Sequence, residues 1–473
     1  MSTRKNAAYN VAYRVFSILL PLVTAPYLDR TVGPAGVGLY TGAWTMSEIF
    51  CMVGMLGLAD YGVRAIAQAR DDRERLDRTF SGIWQMQLMV AGVALLFWFG
   101  YVFLIAGEEK TIALHLTMMS VSCLCNLEWC LMGLDQFKSI ALRNTFVKVA
   151  AAVSAFLFVK SLDDLWIYGF VWSLATLLGN LSCALVLKGK VSYHQVSFRE
   201  TLKHLRPCAV LFISVAAVSV YRKMDKVMVY NIAGKEQNGF YENAEKIIYC
   251  LSGFISAIGT VMMSKVSHMQ EKGETEKIAR NIDRSMNLII CMVSAMAFGV
   301  AAVADRFAPL FYRNSSYSGT LMIPLGFTLI MIGFANVIRT QVVLPQKRDH
   351  IFVKSVCCGA LVNLAANACL IPSMKSMGAV VGTLLAELTV PVVQYMLLRK
   401  ELPYRRFLGY TGVYAVIGLV MMGCVRLVGK LLPAENWVSL GAMTFTGIIV
   451  YGILCLVLWK IRKAKDPDYR ILS

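Results

Sequence analysis

Residues 80–106 read FSGIWQMQLMVAGVALLFWFGYVFLIA. The stretch holds no Asp, Glu, Lys or Arg. Arg73, Arg75 and Arg78 precede it, and Glu108, Glu109 and Lys110 follow it. About 20 apolar residues in a helix cross the roughly 30 Å hydrocarbon core of a bilayer. A lipid-facing backbone must satisfy its own hydrogen bonds, so this run is predicted to be a transmembrane helix rather than a strand.

Working outward, runs of the same kind fall at 7–28, 38–60, 80–106, 111–133, 140–159, 165–187, 208–232, 241–264, 284–304, 319–344, 351–371, 377–398, 407–430 and 437–459. The first, which carries Arg14 and lacks a small-x-small cleavage pattern, reads as a retained span rather than a signal peptide. About 14 spans leave no connection long enough to build a soluble core. The chain is 57% hydrophobic and 16% charged over 473 residues, outside the usual soluble range of about 25% charged. An all-α integral membrane protein is expected, located in the cytoplasmic (plasma) membrane.

The net charge of +18 has a topological reading. Loops 61–79, 188–207 and 265–283 and the tail 460–473 are rich in Lys and Arg. The alternate loops carry one Lys each at Lys110, Lys160, Lys235 and Lys375. Cytoplasmic loops concentrate basic residues, so both termini are expected in the cytoplasm and no nucleic-acid partner is implied. The thirteen cysteines lie mostly in apolar runs and imply no disulfide framework or metal site.

An internal repeat is visible. Gly33, Gly38, Tyr40 and Ala43 recur 201 residues later as Gly234, Gly239, Tyr241 and Ala244. Asn126, Gln136 and Lys138 have counterparts in Asn336, Gln346 and Arg348. Six spans separate the copies, which predicts two pseudo-symmetric six-helix lobes related by an axis along the membrane normal. The expected division is 1–187 (spans one to six), 188–398 (spans seven to twelve) and 399–473 (spans thirteen and fourteen with a basic tail).

Ionisable residues inside a span cost about 2.5–3.5 kcal/mol on insertion scales, so they face a cavity or a partner. Arg14 shares a face of the first span with Ser17 and Thr24. Glu48 lies in the second, Arg222, Lys223, Asp225 and Lys226 in the seventh, Glu242, Glu245 and Lys246 in the eighth, Arg339 in the tenth and Glu387 in the twelfth. Arg222 with Asp225, and Glu242 with Lys246, have the spacing of helical ion pairs, which is the structural alternative to a binding role. As binding groups, Arg14, Arg222, Lys226, Lys246 and Arg339 offer cations suited to a phosphate. Glu48, Glu245 and Glu387 are candidates for ion coupling. There is no Walker A loop, no zinc-binding H-E-x-x-H and no cofactor motif, so no catalytic residue, metal or cofactor is assigned.

The stretch Pro26-Tyr27-Leu28-Asp29-Arg30-Thr31-Val32-Gly33-Pro34-Ala35-Gly36-Val37-Gly38 resembles the P-Y-L-x-R-x-x-G-x-x-G-x-G segment of Wzx-type oligosaccharide flippases. These belong to the polysaccharide transporter branch of the multidrug/oligosaccharidyl-lipid/polysaccharide exporter superfamily. The likeness continues at Lys5-Asn6, at Leu58-Ala59-Asp60-Tyr61-Gly62-Val63-Arg64, at Met224 to Met228, at Gly239-Phe240-Tyr241 with Ala244-Glu245-Lys246, at Asn336 to Pro345, and at Gly378-Ala379 with Gly382-Thr383 and Ala386-Glu387. Arg222-Lys223 departs from the pattern, where uncharged polar residues are commoner.

The resemblance implies a two-lobed secondary transporter, not an enzyme, that moves undecaprenyl-diphosphate-linked repeat units by alternating access for cell-surface polysaccharide export. It adds Arg30 to the candidate cavity cations Arg14, Lys226, Lys246 and Arg339. It implies membrane lipids, and a polysaccharide polymerase and glycosyltransferases, as partners. The competing readings are a peptidoglycan-precursor flippase or drug/cation antiporter of the same superfamily, and a membrane polysaccharide polymerase or ligase.

Overall fold

A computed structural model describes the backbone of residues 3–434 and 436–465. The side chains at 3–19, 21, 137–139, 141, 214–215, 217–218, 220 and 464–465 lie outside that description, and Arg14 is among them. Every described element is helical. In chain order they are α1 (Thr3–Met55), α2 (Leu58–Ala69), α3 (Arg73–Gly100), α4 (Lys110–Ser122), α5 (Glu128–Gly133), α6 (Phe137–Phe158), α7 (Leu165–Leu187), α8 (Phe198–Ala233), α9 (Lys235–Glu271), α10 (Thr275–Tyr312), α11 (Tyr317–Ile338), α12 (Asp349–Met374), α13 (Ser376–Leu398), α14 (Tyr404–Leu431) and α15 (Trp437–Lys465).

Ten candidate spans are long and apolar enough to cross a membrane. One of them, Leu22–Ala69, contains a break at Gly33. Helices α6 and α8 hold the apolar runs 140–159 and 208–232 in addition to these ten, and α4 is too short until α5 continues it. With these, about fourteen crossings are present, as the apolar runs predict. Large apolar side chains point outward, Leu104 at 85% exposure and Phe97 at 68%, which suits a surface solvated by lipid. In α10 the buried side chains Ile278, Ile282, Met286, Ile289, Val293, Ala297, Ala301, Ala304 and Ala308 recur every three or four residues. They form a single inward stripe against neighbouring helices.

The repeat has a local structural signature. Gly33 adopts φ 67°, ψ 176°, and Gly234, 201 residues on, adopts φ 91°, ψ 169°. That region of backbone space is essentially confined to glycine. Each glycine lets one helical limb end and the next start without a loop, with Pro34 opening its limb where a missing N–H costs nothing. The turns after the fourth and tenth spans also match. Asp135 and Lys347 both sit at φ 57°, beside a 2.9 Å bond from Gln136 N to Leu131 O in one and from Arg348 N to Val343 O in the other. This is a Schellman-type helix end, built twice.

The fourth span departs from the single apolar run 111–133. It is split into α4, a short tight turn at Cys123–Cys125, and α5. The broken carbonyls are taken up by α3. Gln87, fully buried, donates through Nε2 to Cys123 O at 2.6 Å and Asn126 O at 3.0 Å. Its Oε1 accepts from Trp129 Nε1 at 2.9 Å, and Trp84 Nε1 donates to Leu124 O at 3.2 Å. Irregular backbone at membrane depth persists only where such partners exist.

Two loop expectations are corrected. The first half of loop 61–79 is the helix α2, whose Leu58, Gly62, Ile66 and Ala69 are buried. The connection 305–318 shrinks to residues 313–316, because α10 continues to Tyr312. Helices extend beyond the apolar run wherever polar residues can sustain them in the headgroup zone, and hydropathy marks only the apolar part.

By packing, the chain divides into Met1–Tyr230 and Asn231–Ser473. Most of α8 therefore packs with the first unit, whereas the repeat groups it with the second half. The reasons are specific contacts. Tyr230 lies against Gly42, where an added Cβ would meet its ring at 2.8 Å. Tyr61 Oη is 2.7 Å from His204 Nδ1, and an added Cβ on Gly57 (φ 74°) would meet Cys208 O at 2.9 Å.

Candidate functional site

The first unit holds its interior charges around α8. Lys223 Nζ donates to Glu48 Oε2 at 2.8 Å, joining α8 to the second limb of α1 across 175 residues of sequence. Asp225 is buried, Lys226 half-buried and Arg222 exposed. Among the described residues Arg222 makes no hydrogen bond or ion pair, so the expected Arg222–Asp225 pair is not formed. The acid that spacing assigned to Arg222 is replaced, one residue on, by Glu48 with Lys223. Arg30 is exposed at the end of the first limb of α1, beside fully buried Asp29. Arg30, Asp225 and Lys226 each make a polar or electrostatic contact. Arg14 lies outside the described side chains.

A second half-buried pair lies between α5 and α6. Arg143 of α6 pairs with Glu128 of α5, and Asn144 Nδ2 donates to the same Glu128 oxygen at 3.0 Å. Arg143 lies inside the fifth apolar run, which was the available signal.

In the second unit, Lys246 Nζ lies 3.0 Å from Glu242 Oε1 within α9, the i,i+4 pair that spacing predicts. Tyr241, on the preceding turn, shares a 3.0 Å hydrogen bond with Thr383 Oγ1 of α13, one turn before Glu387. Glu245 and Glu387 are half-buried and engaged in contacts. Arg339 follows α11 in a wide turn, Arg339–Val343, and its guanidinium stacks over the Phe352 ring at 4.4 Å. A cation over an aromatic face keeps its charge while losing water. Of the two candidate cations in this unit, Lys246 pairs with an acid and Arg339 stacks on a ring.

Outside the spans, Glu109 completes a three-residue network. Its carboxylate accepts from Tyr101 Oη at 3.0 Å and from Tyr230 Oη at 2.7 Å. Burial works against its charge, but donation from Tyr230, its own backbone N–H and Tyr101 outweighs this, and its carboxyl lies below the ordinary value of 4.5. A depressed acid stabilises the fold above its unfolded pKa, and that contribution is lost as pH falls through the folded value. Wild type is expected to melt above Glu109→Gln at pH 7 by the equivalent of about 2 kcal/mol. The gap should close as pH falls below the ordinary glutamate range. A pH series of melting curves in detergent checks this; a gap independent of pH would contradict it.

The polysaccharide biosynthesis protein family matches residues 3–270, more than half of the chain. The chain belongs to that family. A protein of Escherichia coli (strain K12) named "Putative O-antigen transporter" is 24% identical over 417 residues, covering 85% of this chain and 98% of that protein. A Shigella dysenteriae protein of the same name is 23% identical over 393 residues, covering 80% and 95%. The structure of the lipid II flippase MurJ in an inward closed conformation superposes with a TM-score of 0.81 at 15% identity, over 97% of this chain and 99% of that one. An inward-facing multidrug resistance MATE transporter of the MOP superfamily gives 0.60 at 13%, over 87% and 96%. At such identities the solved structures show a shared fold. They place this chain among multi-pass membrane proteins of the architecture that its motifs suggested.

Proposed function

We propose that the protein is a flippase that translocates undecaprenyl-diphosphate-linked oligosaccharide repeat units across the cytoplasmic membrane by alternating access. The observation that carries this reading is the set of cations kept inside the spans of a polysaccharide biosynthesis family member: Arg222, Lys223 and Lys226 on α8, Lys246 on α9 and Arg339 after α11. A diphosphate is the part of a lipid-linked glycan that such cations recognise. The names of the relatives and the fold shared with a lipid flippase support it.

In this reading Arg14 and Arg30 join those cations, and the repeat halves 1–187 and 188–398 alternate while residues 399–473 are appended. Both termini are cytoplasmic. Glu48, Glu245 and Glu387 are the acids through which an ion couples to transport, and Glu48 does so by exchanging its partner Lys223. The protein acts as a secondary transporter rather than an enzyme, passing its cargo from glycosyltransferases to a polymerase. Among the described residues the longest connection between helices is 188–197, which gives no support to the alternative of a membrane polymerase or ligase.

Loss of the protein from its native cell is expected to leave lipid-linked repeat units in the cytoplasmic leaflet and to deplete surface polysaccharide. Unchanged surface polysaccharide would overturn the reading.

A further inference from the structure

Helices α2 and α8 flank an open cleft of about 510 Å³ in the first unit. Arg64 and Gln68 line it from α2, and Arg206, Pro207, Val210 and Leu211 line it from α8. Among the described residues, Arg64 and Arg206 make no hydrogen bond and no ion pair. The acids within a turn or two do not neutralise them. Glu200 pairs with Arg78, and Asp60, one turn before Arg64, makes no ion pair.

The cleft is preformed. At one end the Gly57 backbone approaches α8 so closely that a Cβ there would meet Cys208 O at 2.9 Å and Phe212 N at 3.0 Å. Beside that approach the Tyr61–His204 hydrogen bond ties the two helices. Basic residues placed only for topology fan out singly on open faces. Here two exposed arginines and a glutamine line the same open cleft.

Its depth is set by sequence. From Phe198 to Arg206 helix α8 is charged, with Arg199, Glu200, Lys203 and Arg206; from Pro207 it runs AVLFISVAAVSV after Cys208. Arg206 stands at the switch from polar to apolar, the headgroup level of a bilayer. Val210 on the apolar side is 61% exposed, presenting a hydrocarbon surface next to the charged mouth. The volume falls in the range of ligand sites, about 300–1,000 Å³. Basic pockets between membrane helices bind anionic lipid headgroups, and a guanidinium matches phosphate bidentately.

We propose that the α2–α8 cleft binds the phosphate of a membrane lipid, with Arg64 and Arg206 gripping the phosphate, Gln68 donating to it, and the lipid chain lying along Val210. Lipid phosphate comes from two sources, bulk anionic phospholipid and a polyprenyl diphosphate, and the chemistry is common to both. The site does not depend on the flippase reading.

The test is native mass spectrometry of the purified full chain, titrated separately with phosphatidylglycerol and undecaprenyl diphosphate, with phosphatidylcholine as the zwitterionic control. The wild type should retain one tightly held anionic lipid that Arg64→Gln, Arg206→Gln loses, with affinity falling at least about tenfold. Loss with phosphatidylglycerol identifies bulk lipid as the source, and loss with undecaprenyl diphosphate alone identifies the polyprenyl carrier. The Arg64→Lys, Arg206→Lys variant should keep part of the binding, since charge survives without the planar fork. Among the described residues neither arginine has a partner to lose, so the Gln variant should keep its melting temperature; if it is not recovered, the two single Gln variants are read in the same way. Equal retention of both lipids by wild type and Gln variants, or no anionic lipid held by the wild type, would overturn the site, and neither result depends on whether flipping occurs.

Discussion

An Arg14→Ala, Arg339→Ala variant is expected to reach the membrane in normal amount and to lose glycan export. Arg339 is held over Phe352 by a cation–ring contact at 4.4 Å, which positions its guanidinium at the end of α11. Arg14 shares helical spacing with Ser17 and Thr24 in the sequence of the first span. A diphosphate shifts a two-state transporter only by binding one state better than the other, so the charges that discriminate between states control the rate. Each charged hydrogen bond contributes about 1.5–3 kcal/mol, and losing one weakens binding about tenfold or more. Loss of both should reduce export by about a hundredfold. Lys at both positions should restore part of it. Export by a well-expressed double Ala variant at the wild-type rate would assign both residues to structure.

Gln87→Leu is expected to be the most destabilising single substitution in the first unit. One buried amide satisfies Cys123 O and Asn126 O and receives the Trp129 indole N–H. Leucine fills similar space but leaves two carbonyls and one N–H unsatisfied where water is scarce. Each costs about 1–3 kcal/mol, giving about 3–9 kcal/mol in all. Melting in detergent and the fraction recovered from membranes both report it. A Gln87→Leu protein that melts within 2 °C of wild type would mean that the broken fourth span finds other partners.

The helices were legible because lipid leaves so few alternatives: runs such as 80–106 admit no other structure. The repeat was legible through Gly33 and Gly234, whose shared backbone conformation only glycine tolerates. Hydropathy could not show the break at Cys123–Cys125, since those residues are as apolar as their neighbours and the cause, Gln87, lies on another helix. Nor could it show which acid meets which base. Spacing found Glu242 with Lys246 because the pair is local, and could not find Lys223 with Glu48, which lie 175 residues apart. The α2 helix was hidden by its own chemistry. Its Arg64 and Gln68, followed by Arg70, read as a basic loop, while Leu58, Gly62 and Ile66 recur at the helical interval beneath them.

The central claim is transport of a lipid-linked glycan. It is tested most directly by reconstituting the purified protein in sealed vesicles with undecaprenyl-diphosphate-linked oligosaccharide and following the glycan's exposure on the opposite leaflet. A flippase should speed that exposure well above empty vesicles, and Arg14→Ala, Arg339→Ala should return it to the empty-vesicle rate. Exposure at the same slow rate with and without the wild-type protein, across several glycans including that of the native cell, would contradict the claim.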